Sequence, residues 1–158
     1  MAQDWSFQTG NNICNFRSAG VLVRDGKLLV QRDRDGTDFA LPGGHVQIGE
    51  SSADSLIREY KEETGAKICC ERLLWIEECF WEWNGRKTNT IAFYYQIRLE
   101  EPGGIPIGTE FVSQKDNGNV LLGWMPLEHL EEINIYPSFI KEKLFDIKPY
   151  PEHFVTHE

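Results

Sequence analysis

Gly44 to Ala66 reads GHVQIGESSADSLIREYKEETGA, and the rest of the chain is organised around this stretch. A loop with closely spaced glycines runs into a helix. Ser51 or Ser52 can cap its start, Asp54 suits its first turn, and Gly65 stands where a left-handed C-cap is wanted. Ala53, Leu56, Ile57, Tyr60 and Thr64 recur at helical spacing and predict one buried stripe. Glu59, Glu62 and Glu63 fall in a sector of roughly 100° beside and behind that stripe. Glu50 precedes the helix.

Acidic residues on a helix are usually a solvated face. Two details argue against that here. Glu62 and Glu63 lie in the last turn, where the helix dipole disfavours anions by roughly 0.3–1 kcal/mol each. Glu59 and Glu63 are like charges four residues apart, a spacing that repels. A bound cation turns this repulsion into attraction. Hard oxygen ligands from one helix suit Mg²⁺ or Mn²⁺ rather than zinc. A metal-acidified water is then a candidate nucleophile, and one of the glutamates can remove its proton. Arg58 can pair with a carboxylate such as Glu50 and hold the cluster in shape.

The stretch resembles the Nudix box, G-x5-E-x7-R-E-U-x-E-E-x-G-U, with U a bulky aliphatic residue. Gly44 and Glu50 open it, Arg58-Glu59 and Glu62-Glu63 are its paired positions, and Gly65 closes it. Tyr60 and Ala66 depart from the usual aliphatic residues, which bears on packing rather than on charge. The resemblance extends to a hairpin before the box, strands after it, the W-x-P-L-E-x-L segment Trp124–Leu130 and a C-terminal helix. It implies an α+β fold, a mixed β-sheet between helices (an α/β/α sandwich) with a loop–helix–loop metal site. It also implies Mg²⁺- or Mn²⁺-dependent hydrolysis of a nucleoside diphosphate linked to another group. By position, Glu59, Glu62, Glu63 and the Gly44 carbonyl are the implied metal ligands. Glu59, Glu62, Glu50 and Arg58 are the implied catalytic set. Many members carry a further acid outside the box, and Glu110 is the candidate for it. The ADP-ribose-type proline some sixteen residues past the box is missing, since Phe80-Trp81-Glu82 lies there.

The remaining sequence reads as scaffold. Arg17–Val23 and Lys27–Gln31 predict a hairpin around Asp25-Gly26, and Asn84-Gly85 predicts another between Ile68–Trp83 and Thr88–Leu99. Residues 102–119 read as a loop with a short strand near Glu110–Val112. Val120–Trp124 reads as a strand, Pro126–Glu132 as a short helix and Pro137–Phe145 as an amphipathic helix. Residues 1–15 read as a loose lead-in, or a short edge segment anchored by Trp5 and Phe7, and 149–158 as a frayed tail. No repeat or linker divides the chain, so 1–158 is expected to be a single domain.

With 158 residues, 41% hydrophobic and 26% charged, the composition is that of an ordinary globular chain. A net charge of −9 argues against nucleic-acid polymers and anionic membranes as partners. Cys14, Cys69, Cys70 and Cys79 form no C-x-x-C pair and read as reduced thiols, which points to a cytoplasmic location. No leader pattern or membrane-length apolar run is present. Among aromatic and basic residues, Arg32, Phe39 and Trp81 are candidate substrate contacts, weighed against core packing and solvated charge. The expected partner is a small nucleotide-derived molecule, with a homodimer held open. A nucleoside triphosphate, modified or ordinary, is the first substrate expectation, and a nucleotide sugar or other diphosphate conjugate the second. A nucleotide sensor without turnover is the competing class.

Overall fold

The computed structural model describes residues 2–108 and 110–158; Met1, from the expected lead-in, and Thr109, from the expected 102–119 loop, lie outside the described residues. In chain order the strands are β1 (Ser6–Thr9), β2 (Asn12–Val21), β3 (Val23–Arg24), β4 (Lys27–Asp33), β5 (Phe39–Ala40) and β6 (Gly43–His45). Helix α1 (Ser52–Thr64) follows, then β7 (Ile68–Trp83), β8 (Arg86–Leu99), β9 (Phe111–Val112) and β10 (Val120–Pro126). A 3-10 segment (Leu127–Glu132), β11 (Ile135–Tyr136), the single-turn α2 (Ile140–Lys143) and β12 (Glu152–His157) complete the chain.

The strands form two mixed sheets, one ordered β1-β2-β8-β7-β12 with β6 also on β2, the other β11-β5-β4-β10-β9 with β3 on β4. Both glycine hairpins form: Arg24 faces Lys27 across Asp25-Gly26, and Trp83 faces Arg86 across Asn84-Gly85. Asp25 and Asn84 take φ of 50° and 49°, as a type I′ turn requires. Two apolar clusters bind the layers. One gathers Leu56 and Tyr60 of α1 with Ile68, Ile97 and Trp124; the other gathers Trp75, Tyr94 and Ile140. The helices thus pack into separate clusters, in the α+β arrangement expected.

Helix α1 starts at Ser51, whose Oγ accepts from the Asp54 N–H at 3.1 Å, and ends at Gly65 with φ 76°. Its buried side differs from the predicted stripe. Ile57 is 37% exposed, while Glu59 and Glu63 are each only 4% exposed. The helix is rolled so that two of its carboxylates face inward beside Leu56 and Tyr60. Tyr60 is itself wholly buried, and its hydroxyl has no hydrogen-bond partner among the described residues. An unpaired buried hydroxyl costs more than it contributes. Tyr60→Phe should therefore raise stability by about 1 kcal/mol, read as a melting temperature about 3 °C higher. An unchanged or lower value would show that the hydroxyl is satisfied in solution.

The amino terminus takes the second form expected for it, a short edge segment, and the carboxyl terminus is more ordered than expected. Residues 6–9 and 12–15 form an antiparallel hairpin, and Trp5 packs edge-on against Phe16 with centroids 5.6 Å apart. The expected frayed tail is strand β12, parallel to β7 from Glu152↔Trp75 to His157↔Phe80. Side chains anchor it: His153 Nε2 lies 2.7 Å from Glu78 Oε2, and Phe154 packs on Phe139 at 4.4 Å. Glu78 and the rest of β7 are some 75 residues away in sequence, so no local pattern announces the strand. The predicted helix Pro137–Phe145 shrinks to Ile140–Lys143, because its flanks close tighter turn bonds, with the Ile140 N–H donating to the Pro137 carbonyl and the Phe145 N–H to the Glu142 carbonyl; Phe139 and Ile140 join the core and Phe145 is left 60% exposed.

Candidate active site

Strand β6 carries Gly43 and the first box glycine, Gly44, against β2, with Gly43 opposite Ala19 and Gly44 opposite Ser18. A Cβ on Gly43 would run into the Ser18 carbonyl oxygen, and one on Gly44 into the Glu59 carboxyl. Only glycine lets the strand pass this close to α1, so the Gly44 backbone and the Glu59 carboxylate share one spot.

Arg58 organises the carboxylates. Its Nη2 donates to Glu50 Oε1 at 2.7 Å and its Nε to Glu50 Oε2 at 3.1 Å, a two-point clasp. Nη2 also donates to the His45 carbonyl at 3.2 Å, and Nη1 to Glu59 Oε1 at 3.0 Å. The hydrogen bonds from Arg58 hold the Glu50 carboxyl below its usual range, helped by the Gln47 N–H. Arg58 itself is pushed up by Glu50 and Glu59.

A second cation enters from the segment between β9 and β10. The Gln114 N–H donates to the Glu63 carbonyl at 2.8 Å and docks that segment on the end of α1. Lys115 Nζ then lies 2.8 Å from Glu59 Oε2 and 2.9 Å from Glu62 Oε2. Its hydrogen bond keeps the Glu62 carboxyl below the usual range. Glu63 stands apart. Its Oε2 is buried with no partner among the described residues, and burial, then the Glu59 charge, push its carboxyl up to about 8. Asp116 adds to that rise, which places a further acid near the cluster.

These features bear on whether the residues fit a divalent cation. No three metal-ligating side chains converge as they stand among the described residues. The chemistry of the set nonetheless suits a hard cation: all donors are oxygens, one buried carboxylate oxygen is orphaned, and an ammonium already bridges Glu59 and Glu62. Glu59, Glu62, Glu63 and the Gly44 carbonyl are the groups that would hold the ion.

The Glu63 shift has a measurable consequence. The folded state keeps the proton up to about pH 8, whereas an unfolded glutamate releases it near pH 4.3. Between those values the folded state binds more protons, so stability falls as pH rises. In EDTA the loss should be on the order of 2–4 kcal/mol between pH 5 and 8. Glu50 and Glu62 have lowered values and act oppositely, losing their contribution only in acid. Denaturant melts of metal-free protein across this range check the slope, which Glu63→Gln should flatten. An equal slope in the variant would assign the effect elsewhere.

The candidate substrate residues Arg32, Phe39 and Trp81 line one cavity of about 610 Å³, together with Arg17 of β2. Arg32 is already engaged: its Nε and Nη2 each donate to Glu110 at 2.8 Å. Glu110, the candidate acid outside the box, is thereby committed to Arg32, and no hydrogen bond among the described residues joins it to the box carboxylates. Arg17 links the two regions, since its charge lowers the proton affinity of both Glu63 in the cluster and Glu77 in the cavity wall. Lys115, Asp116 and Arg17 escaped the sequence reading. The first two sit in an irregular loop without periodicity, and Arg17 looks like any strand residue.

Mixed sheets carrying a glycine-threaded loop, a carboxylate helix and a C-cap glycine define the Nudix loop–helix–loop class of α+β domain. A family model described as NUDIX domain matches residues 15–144, and the chain belongs to that family. It is 53% identical over 49 residues to the uncharacterized Nudix hydrolase YvcI of Bacillus subtilis, 30% of each chain. It is 41% identical over 49 residues to the ADP-ribose pyrophosphatase of Methanocaldococcus jannaschii, 29% of each chain. The crystal structure of a mutator MutT protein from Bacillus halodurans superposes with a TM-score of 0.64 over 90% of this chain and 89% of its own. Its 19% identity makes this a likeness of fold. The chain spans less than half the length of the curated relatives it matches.

Proposed function

We propose that the protein is a divalent-metal-dependent pyrophosphohydrolase acting on a nucleoside diphosphate linked to a further group. The observation that carries this reading is the bridging of Glu59 and Glu62 by an ammonium, beside the buried and unpartnered Glu63 Oε2. The arrangement calls for a cation, and Arg17, whose charge acts on Glu63, also lines the cavity. A bound Mg²⁺ or Mn²⁺ would supply an acidified water and offset charge on the phosphoryl oxygens. Glu62, the most exposed of the three helix glutamates, is the group we assign to proton removal: it would accept a proton from the attacking water. The phosphoanhydride P–O bond breaks, and its electron pair leaves with the departing phosphate. Arg58 holds Glu50 and Glu59 in register, while Arg17 and Lys115 offer positive charge to the phosphates.

A nucleoside triphosphate, modified or ordinary, is the first substrate in this reading, and a nucleotide sugar or other diphosphate conjugate the second. The name of the archaeal ADP-ribose pyrophosphatase relative favours keeping the conjugates in view. Four free thiols suit a cytoplasmic setting, and a homodimer is part of the same proposal. Incubation with a panel of nucleotides and Mg²⁺, reading phosphate and pyrophosphate release, tests the function. Tight binding of one compound without turnover of any would assign the chain to the sensor class instead.

A further inference from the structure

The cavity beyond Arg17 has a character that a site for phosphates alone would not have. Its walls carry the acids Asp33, Asp38, Glu77, Glu82 and Glu158, against the guanidiniums of Arg17 and Arg32. Arg32 is held by Glu110, so the field inside is negative. A chain that binds a polyanion gains nothing from such a field unless a different part of the substrate enters it.

Two of these carboxylates are built in. Glu77 is 2% exposed; its Oε1 accepts from the Tyr94 hydroxyl and its Oε2 from the Thr156 hydroxyl, both at 2.7 Å. Glu158 accepts from the Ser138 hydroxyl at 2.7 Å, and its N–H donates to the Phe80 carbonyl at 3.0 Å. Both arrangements depend on β12, which supplies Thr156 and leads into Glu158. Burial raises the proton affinity of Glu77, and repulsion from the charge of Glu158 adds to the rise. A donor or cation placed between them would relieve that repulsion.

The same cavity offers flat apolar surface. Trp81 is 37% exposed, and its Nε1 donates to Thr90 Oγ1 at 3.1 Å, which fixes the ring plane. Phe39 of β5 and Tyr136 of β11 line it from the other sheet, where the two strands run parallel with Phe39 opposite Ile135 and Tyr136 opposite Ala40. Aromatic faces with carboxylates at the rim select a planar ring that is rich in N–H donors or positively charged.

We propose that this cavity takes the base of the substrate and selects a planar nitrogen heterocycle with N–H donors on its edge or a positive charge. It discriminates against uracil-type edges, poorer in donors, and against anionic end groups. The inference rests on the hydrolase reading for the source of the base, yet its test needs neither metal nor turnover.

Calorimetric titration of the metal-free protein with four probes decides it: guanosine, N7-methylguanosine, uridine and glucose 1-phosphate. Guanosine or N7-methylguanosine should bind about tenfold or more tightly than uridine, in line with the cost of leaving buried polar groups unpaired. Their order tells whether donors or charge carry the recognition. Glu158→Gln and Trp81→Ala should each weaken that binding by about tenfold, with circular dichroism confirming the fold. Glu62→Gln should leave nucleoside binding unchanged even where turnover is lost. Equal affinity for uridine or glucose 1-phosphate, or no binding by any probe, would overturn the assignment.

Discussion

Glu62→Gln is expected to lower turnover by about a thousandfold, the scale of losing a group that acts on the reacting water. The fold should survive. Glu62 is part-exposed, and its pairs with Lys115 and Arg58 lie where solvent screens them, so the stability change should stay within about 1 kcal/mol. The substitution keeps shape and removes charge, which separates proton transfer and cation binding from packing. A companion reading is the rise in melting temperature on adding Mg²⁺, expected in the parent and reduced in the variant. Retained turnover on the best substrate of the panel would place the chemistry elsewhere.

The second large effect is structural and concerns Gly43→Ala. A Cβ here would meet backbone, the Ser18 carbonyl oxygen and the Ala19 Cα, rather than a flexible side chain that could turn away. β6 would have to leave β2 and carry the Gly44 backbone away from Glu59. The cost should be about 3 kcal/mol or more, the range of strain that forces backbone apart, and the melting temperature should fall by about 10 °C. Gly103→Ala is the control. No atom lies within 4 Å of its added Cβ, so it should melt close to the parent. Equal melting of the two variants would mean that the β6–β2 approach is looser than the structure has it.

The sequence told most where chemistry and local geometry coincide. Gly65 at the C-cap, Asp25-Gly26 and Asn84-Gly85 each demand left-handed backbone, and all three lie where that demand placed them. The glutamate helix was legible because its charges oppose its own dipole. Its roll was not: counting apolar residues put Ile57 inside, whereas burial favours the carboxylates Glu59 and Glu63. Periodicity finds apolar faces, and a charged group drawn inward is invisible to it. Lys115 and β12 were missed for a different reason. Their partners, Glu59 and β7, are distant in sequence, and neither a loop lysine nor a short polar strand carries a local mark of such pairing. Arg32 and Glu110 were each picked out singly as functional candidates; only three dimensions show that they are each other's partner.

The parallel pairing of β2 with β8, and of β12 with β7, also governs how the chain reaches this state. Asn12 finds Lys87 and Glu152 finds Trp75, so each pairing must close a loop of about half the molecule's length before any contact offsets the lost chain entropy. The β7–β8 hairpin needs only its Asn84-Gly85 turn and is the natural first structure. Folding should then be limited by docking of the amino-terminal strand onto that hairpin, in the millisecond-to-second range of topologies rich in distant contacts. Stopped-flow measurements on Gly85→Ala, whose φ of 75° opposes the substitution, should show the folding arm slowed more than the unfolding arm is quickened. The reverse would move the nucleus away from the hairpin.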